Sequence, residues 1–197
     1  MRRIASVLAV TAAILLAGCA GTVKNMKEIA DEGTTLKPRP EEAVVVFMRP
    51  SGLGFAIQSS VFEIKNDAPS LVGIVAAKTK VAHRVPAGKH LYMVVGESAD
   101  FMTAELAPNK TYYAYVSPRM GMWKARFALE PKQATELDAA EFKSDYNECR
   151  LVEITPESNA WMADNLNSIQ AKRTEYYADW QKQAPEERQH LRQEDGR

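Results

Sequence analysis

The chain has 197 residues, 46% hydrophobic and 25% charged, with 25 basic residues against 25 acidic ones and two cysteines. That length fits one domain with appendages. Balanced charge argues against nucleic-acid binding, which needs a basic surface to displace counterions, and against membrane adsorption through clustered Lys and Arg.

Arg2 and Arg3 precede an apolar run from Ile4 to Ala17 that closes in Leu16-Ala17-Gly18-Cys19. A spanning helix needs about 20 apolar residues, whereas a signal-peptide core needs roughly 7–15, and this run fits the second. Small residues directly ahead of a cysteine make it a lipoprotein signal. Residues 1–18 are expected to be removed by cleavage between Gly18 and Cys19, and Cys19 to carry acyl chains. An ordinary cleaved signal or an uncleaved anchor is the bland alternative, disfavoured by a cysteine directly after Leu-Ala-Gly. Removing residues 1–18 takes away Arg2 and Arg3 and no acid, leaving two excess negative charges. Attachment to a membrane would then come from lipid. In a host with two membranes, Ala20 in place of aspartate resembles the outer-membrane sorting pattern. Cys149 is left without a partner and is expected to be a buried structural thiol.

Residues 19–41 read as lipid anchor and tether. Lys24 to Ala30 makes at most a brief helical turn, and Lys37-Pro38-Arg39-Pro40 favours an extended spacer. From 42 to 131 the pattern is strand after strand. Ala43 to Met48 is a continuous apolar run suited to a central strand buried on both faces. Val61 to Lys65 alternates, with Phe62 and Ile64 on one face, and Asn66 to Ser70 is a turn. Leu71–Ala77, Val81–Val85 and His90–Val95 follow, then Thr111–Val116. The last strand of the domain places Trp123, Ala125, Phe127 and Leu129 inward. Short strands spaced by about 8–12 residues with Gly and Pro turns predict an antiparallel β-sandwich or barrel-like sheet.

Residues 132–155 read as a connector, with a short helix over Ala134–Asp145 anchored by Leu137 and Phe142, and a strand at Leu151–Ile154. Thr155-Pro156-Glu157 starts a helix with threonine as N-cap and proline at the first position. It is expected to run over 156–184 and to dock on the sheet through Met162, Leu166, Ile169, Tyr176 and Trp180, a stripe interrupted by Arg173. The polar tail, 185–197, is expected to fray.

Three segments carry a family resemblance: Val46-Phe47-Met48-Arg49-Pro50, Pro86-Ala87-Gly88-Lys89-His90, and Lys110-Thr111-Tyr112-Tyr113 leading to Pro118-Arg119-Met120-Gly121. Together they resemble a group of bacterial envelope lipoproteins built around a small β-domain of unknown function. The second segment is also similar to turns of small extracytoplasmic β-sandwich repeats. The resemblance covers the signal peptide and residues 42–131. It implies fold and envelope location, and it brings no catalytic residues.

Candidate chemistry is sparse. The histidines are His83, His90 and His190, without the close ligand spacing of a metal site. His83 alternates with Val81 and Val85 and so reads as hydrogen-bonded packing. His90 would meet it across a hairpin, still an incomplete ligand set. No metal or cofactor is expected. Ser51-Gly52-Leu53-Gly54 lacks the lysine and helix of a phosphate cradle and reads as a flexible loop. Tyr113 and Tyr115 share one strand face and Tyr112 takes the other, so at least one face is core. The loop Ser117–Met122 is the candidate binding loop, through Arg119, Met120 and Met122. The expectation is a non-catalytic binding or structural module of the cell envelope, held by acyl chains on Cys19 at the outer membrane and facing the periplasm. The alternatives are an assembly partner that uses the 156–184 helix, and an envelope enzyme with an unfamiliar site.

Overall fold

The computed structural model describes residues 23–30, 32–120 and 125–197, with the side chains of Met120 and Ala125 outside the description. Cys19, Gly18, Met122 and Trp123 lie outside the described residues. The strands are β1 (Met26–Glu28), β2 (Glu42–Arg49), β3 (Ser59–Lys65), β4 (Ala68–Val75), β5 (Thr79–Pro86), β6 (Gly88–Val95), β7 (Ala99–Leu106), β8 (Thr111–Met120), β9 (Ala125–Pro131), β10 (Arg150–Ile154) and β11 (His190–Leu191). The helices are α1 (Glu32–Thr35), α2 (Ala140–Glu148) and α3 (Pro156–Lys182).

Two sheets pack face to face, one ordered β1-β10-β5-β2-β8-β9 and the other β11-β7-β6-β3-β4. The fold is mainly β and sandwich-like, with a C-terminal helix, and it is not a closed barrel. The expected sandwich is present and most pairs are antiparallel, but β2–β8, β10–β5 and β11–β7 are parallel, so both sheets are mixed. Parallel neighbours need long connections, and each of these pairs joins strands distant in sequence.

The centre of the sandwich holds Val45, Phe47, Val61, Tyr92, Met102, Tyr112, Phe127 and Leu129. β2 lies between β5 and β8 with Ala43 to Arg49 all buried, as its continuous apolar run requires. Asn66 (φ 48°) and Asp67 (φ 64°) form the two-residue turn of the β3–β4 hairpin, where both residues must be left-handed.

Helices cover the outer faces. α3 lays Met162, Ile169, Tyr176 and Trp180 on Phe62, Leu71, Met93, Val95 and Phe101 of the five-stranded sheet. The docked stripe matches expectation except at Leu166, which stands apart from that cluster. Arg173 does not break the helix. It pairs with Asp67 and lies 5.6 Å from the Tyr177 ring centroid. On the six-stranded sheet, Phe142 and Tyr146 of α2 pack with Tyr113 and Tyr115 while Tyr112 points into the core, so both tyrosine faces are covered.

The expected tether is corrected. Val23 is buried with Ile74, Ala76 and Val152, and β1 pairs with β10 over Met26–Glu28. α1 is held by Lys80, whose Nζ lies 2.9 Å from Glu32 Oε1, and the Arg84 guanidinium donates to the carbonyls of Thr34 and Lys37. The tail is corrected too. Leu191 is fully buried, β11 pairs with β7, and Arg197 N donates to Thr111 O. Residues 42–131 are therefore not a self-contained β-domain, because strands from both flanks complete its sheets.

Candidate functional site

Two arrangements stand out in side-chain chemistry. The first is built on Glu63, a buried carboxylate in the middle of β3. On a strand that alternates, Glu63 shares a face with Val61 and so turns into the sandwich. β5 and β6 bring His83 and His90 to it. His83 Nε2 lies 2.8 Å from Glu63 Oε2, His90 Nδ1 lies 2.7 Å from Oε1, and Lys65 Nζ lies 2.7 Å from Oε2. His90 Nε2 is 2.9 Å from the Pro86 carbonyl, so each of its ring nitrogens faces an acceptor. Burial works against the charge on Glu63, and the hydrogen bonds from His83, His90 and Lys65 outweigh it. They hold the carboxyl well below the usual carboxylate range.

Tyr92 lies beneath this cluster, its ring stacked 6.1 Å from His90 and edge-on to His83 at 6.0 Å. Its hydroxyl is buried without a hydrogen-bond partner among the described residues. Burial first, and the nearby Glu63 charge second, push the phenol well above its ordinary value. Outside, Glu63, Lys65, Lys89 and His90 border an open depression of about 510 Å³. The two histidines expected to approach each other do so. The carboxylate that joins them was not foreseen, because a charged residue in an alternating strand reads as solvent-facing. Among the described residues no group of three His, Cys, Asp or Glu has the geometry to hold a metal ion.

The second arrangement is the loop between β2 and β3. Arg49 ends β2 with its side chain fully buried, 4.8 Å over the Phe127 ring. Its guanidinium donates to the carbonyls of Ile57 (2.6 Å), Leu53 (2.7 Å) and Gly54 (2.9 Å). Leu53 N donates to Ser51 Oγ at 3.1 Å, and Gly54 takes φ 65°. The loop expected to be flexible is thus braced from below, and it turns Leu53, Phe55 and Ile57 outward at 53%, 78% and 42% exposure. Desolvation pulls the Arg49 pKa below the usual arginine value.

No protein-family model matches the chain, and no curated protein is significantly similar to it.

The expected binding loop is redrawn by the structure. Arg119 sits within β8, opposite Arg126, and pairs with Glu130 at 2.8 Å. Pro118 is tolerated there because the β2 register stops at Tyr115, which leaves that flank of β8 without a β2 partner. Arg119 borders a depression of about 330 Å³ with Asp100, Arg126 and Tyr176. Burial raises the Asp100 carboxyl, while backbone N–H groups, among them that of Leu129 at 3.0 Å, work to lower it. Met120 closes β8, and Met122 lies outside the described residues. Cys149 is buried beside Met48, Leu137 and Phe142, and burial pushes its thiol up to about 12.

Proposed function

We propose that this protein is a lipid-anchored component of the bacterial cell envelope, acting as a non-catalytic binding or structural module. The observation that carries the reading is the spacing between Cys19 and a chain already folded at Val23. The Leu16-Ala17-Gly18-Cys19 box stands four residues ahead of a buried side chain. Four residues reach at most about 14 Å, so acyl chains on Cys19 would hold the domain directly at the bilayer rather than on a stalk. The resemblance to envelope lipoproteins with a small β-domain, and Ala20 after the cysteine, favour the periplasmic face of an outer membrane.

The non-catalytic half of the reading is supported by how the titratable groups are used. Both oxygens of Glu63 are engaged, and the Cys149 thiol is buried and hard to ionise. The open depression beside Glu63, its rim formed by Lys65, Lys89 and His90, is where this reading seats a ligand. An assembly role through the 156–184 helix has less to stand on, since α3 spends most of its apolar stripe on its own sheet.

Cys19→Ser tests the anchor. The variant is expected to leave the membrane fraction or to accumulate as uncleaved precursor. Normal processing with unchanged fractionation would overturn the reading.

A further inference from the structure

The described residues expose four large hydrophobic side chains: Leu53, Phe55, Ile57 and Ile154. Three of them share the braced β2–β3 loop, within five positions, and Phe55 is the most exposed of all. Single exposed apolar residues are ordinary; three on one preorganised loop form a patch that wants a cover. The loop does not owe its shape to chance collapse. Arg49 takes up three of its carbonyls from beneath, which leaves the apolar side chains as the part that faces out.

The position of the loop says what covers it. Ile57 enters β3 at Ser59, which stands opposite Val75 at the end of β4. Val23 is buried with Ile74 and Ala76 at that same end of β4. The chain leading back to Cys19 therefore leaves the fold at the end that carries the apolar patch. Only residues 20–22 lie between the two, a reach of about 14 Å at full extension.

We infer that the loop at Leu53, Phe55 and Ile57 is a membrane-contacting wedge, seated in the interfacial region of the bilayer that holds the acyl chains. This rests on the lipid-anchor reading. The wedge adds a second apolar attachment to the acyl anchor and fixes how the domain is turned, so that the opposite end, with Lys89 and the depression at Glu63, faces away from the lipid. Membrane binding through buried apolar side chains does not call for clustered basic residues, in keeping with the balanced charge of the chain.

The test uses full-length acylated protein carrying Phe55→Cys, labelled with an environment-sensitive fluorophore, in vesicles of phosphatidylethanolamine and phosphatidylglycerol. Cys149 is buried and does not compete for the label. The control label is at Lys89→Cys, on a side chain 86% exposed at the far end of β6. Phe55 is itself exposed, so neither substitution threatens folding. The probe at 55 is expected to shift to the blue and to be quenched about twofold or more by nitroxide-labelled lipid, with no response at 89. Equal, aqueous behaviour at both positions in protein that floats with the vesicles would overturn the wedge and leave the anchor standing. A blue shift insensitive to nitroxide lipid would mean that protein, such as a second copy of this chain, covers the loop, and would also overturn it. Unmodified Cys19 by mass spectrometry, in protein that stays in the aqueous phase, would remove the anchor and the wedge together.

Discussion

Thr111 and Arg197 exchange both of their backbone hydrogen bonds, at 2.7 Å from Thr111 N and 3.1 Å from Arg197 N. The pair stitches the polar C-terminal segment to the start of β8. Just before it, Gly196 lies against the Tyr112 ring so closely that a Cβ would come within 2.5 Å of Cζ. Tyr112 cannot yield, because it is fully buried and its hydroxyl accepts from Ala107 N and donates to Gln193 O. Gly196→Ala is expected to cost about 1–3 kcal/mol by overpacking and to free the segment after Arg192. A lowered urea midpoint, with faster exchange of the Thr111 amide, would bear this out.

Phe127 fills the core and carries the Arg49 guanidinium on its face. Phe127→Ala should cost on the order of 3–5 kcal/mol. Arg49→Lys is a separate case: one ammonium cannot serve three carbonyls that a planar fork reaches, so loss of about 1.5 kcal/mol or more is expected although charge is kept. Thermal or denaturant unfolding of both variants decides the matter, and a wild-type midpoint for Arg49→Lys would show that the loop does not depend on the fork.

The pH dependence of stability has a sign fixed by Glu63. Its carboxyl is depressed in the folded state, so its contribution is complete above the unfolded value of about 4.3 and is lost as pH falls from there toward the folded value. Glu63→Gln keeps the shape and removes the charge. It should be clearly less stable than wild type near neutral pH, and the gap should close as pH drops below about 4. Denaturant midpoints of the two proteins across that range are the measurement; a gap that stays constant would mean the charge is not what Glu63 contributes.

Most strands of the sandwich were legible because alternation reports burial, and Phe127 and Leu129 face the core as their spacing predicts, but β7 (Ala99–Leu106) was not read. The chain's two flanks were not, for a shared reason. β1 offers only Met26-Lys27-Glu28, and β11 only His190-Leu191, so neither has a periodic apolar signal. Each becomes a strand because a distant partner, β10 or β7, supplies an unpaired edge, and backbone pairing of that kind leaves no mark on side-chain pattern. Glu63 escaped notice for the converse reason. Its own strand shows a charge, while the histidines that satisfy that charge stand 20 and 27 residues away. The helix start was readable from Thr155 and Pro156, while the part of Ser158, which closes a capping box with Thr155, was not read.

Cys149 is expected to be inert. With its thiol buried and pushed up to about 12, modification by a water-soluble disulfide reagent should be negligible in the folded protein and rapid in denaturant. Rapid labelling under native conditions would show that the pocket formed by Met48, Leu137 and Phe142 opens.

Truncation after Ile154 removes α3 together with β11 and the C-terminal segment, uncovering Phe62, Leu71, Met93 and Phe101 on the outer sheet face and the edge of β7. The shortened protein is expected to bind a hydrophobic dye and to aggregate, and to unfold at lower denaturant than the full chain. Retained solubility with an unchanged midpoint would mean that the sheets need neither the helix nor the C-terminal strand.

The Asn25 carbonyl receives hydrogens from Thr155 Oγ1 and Ser158 Oγ, partners 130 and 133 residues later in the chain. This closure imposes an order of events on any chain that emerges N-terminus first. Val23 and Met26 have part of their seat on β4, but the strand partner of β1 and the two hydroxyl donors to Asn25 come only with β10 and the first turn of α3, so the seat is completed late. Only when the last third of the polypeptide arrives is that segment fully drawn in, by the same contacts that complete the fold.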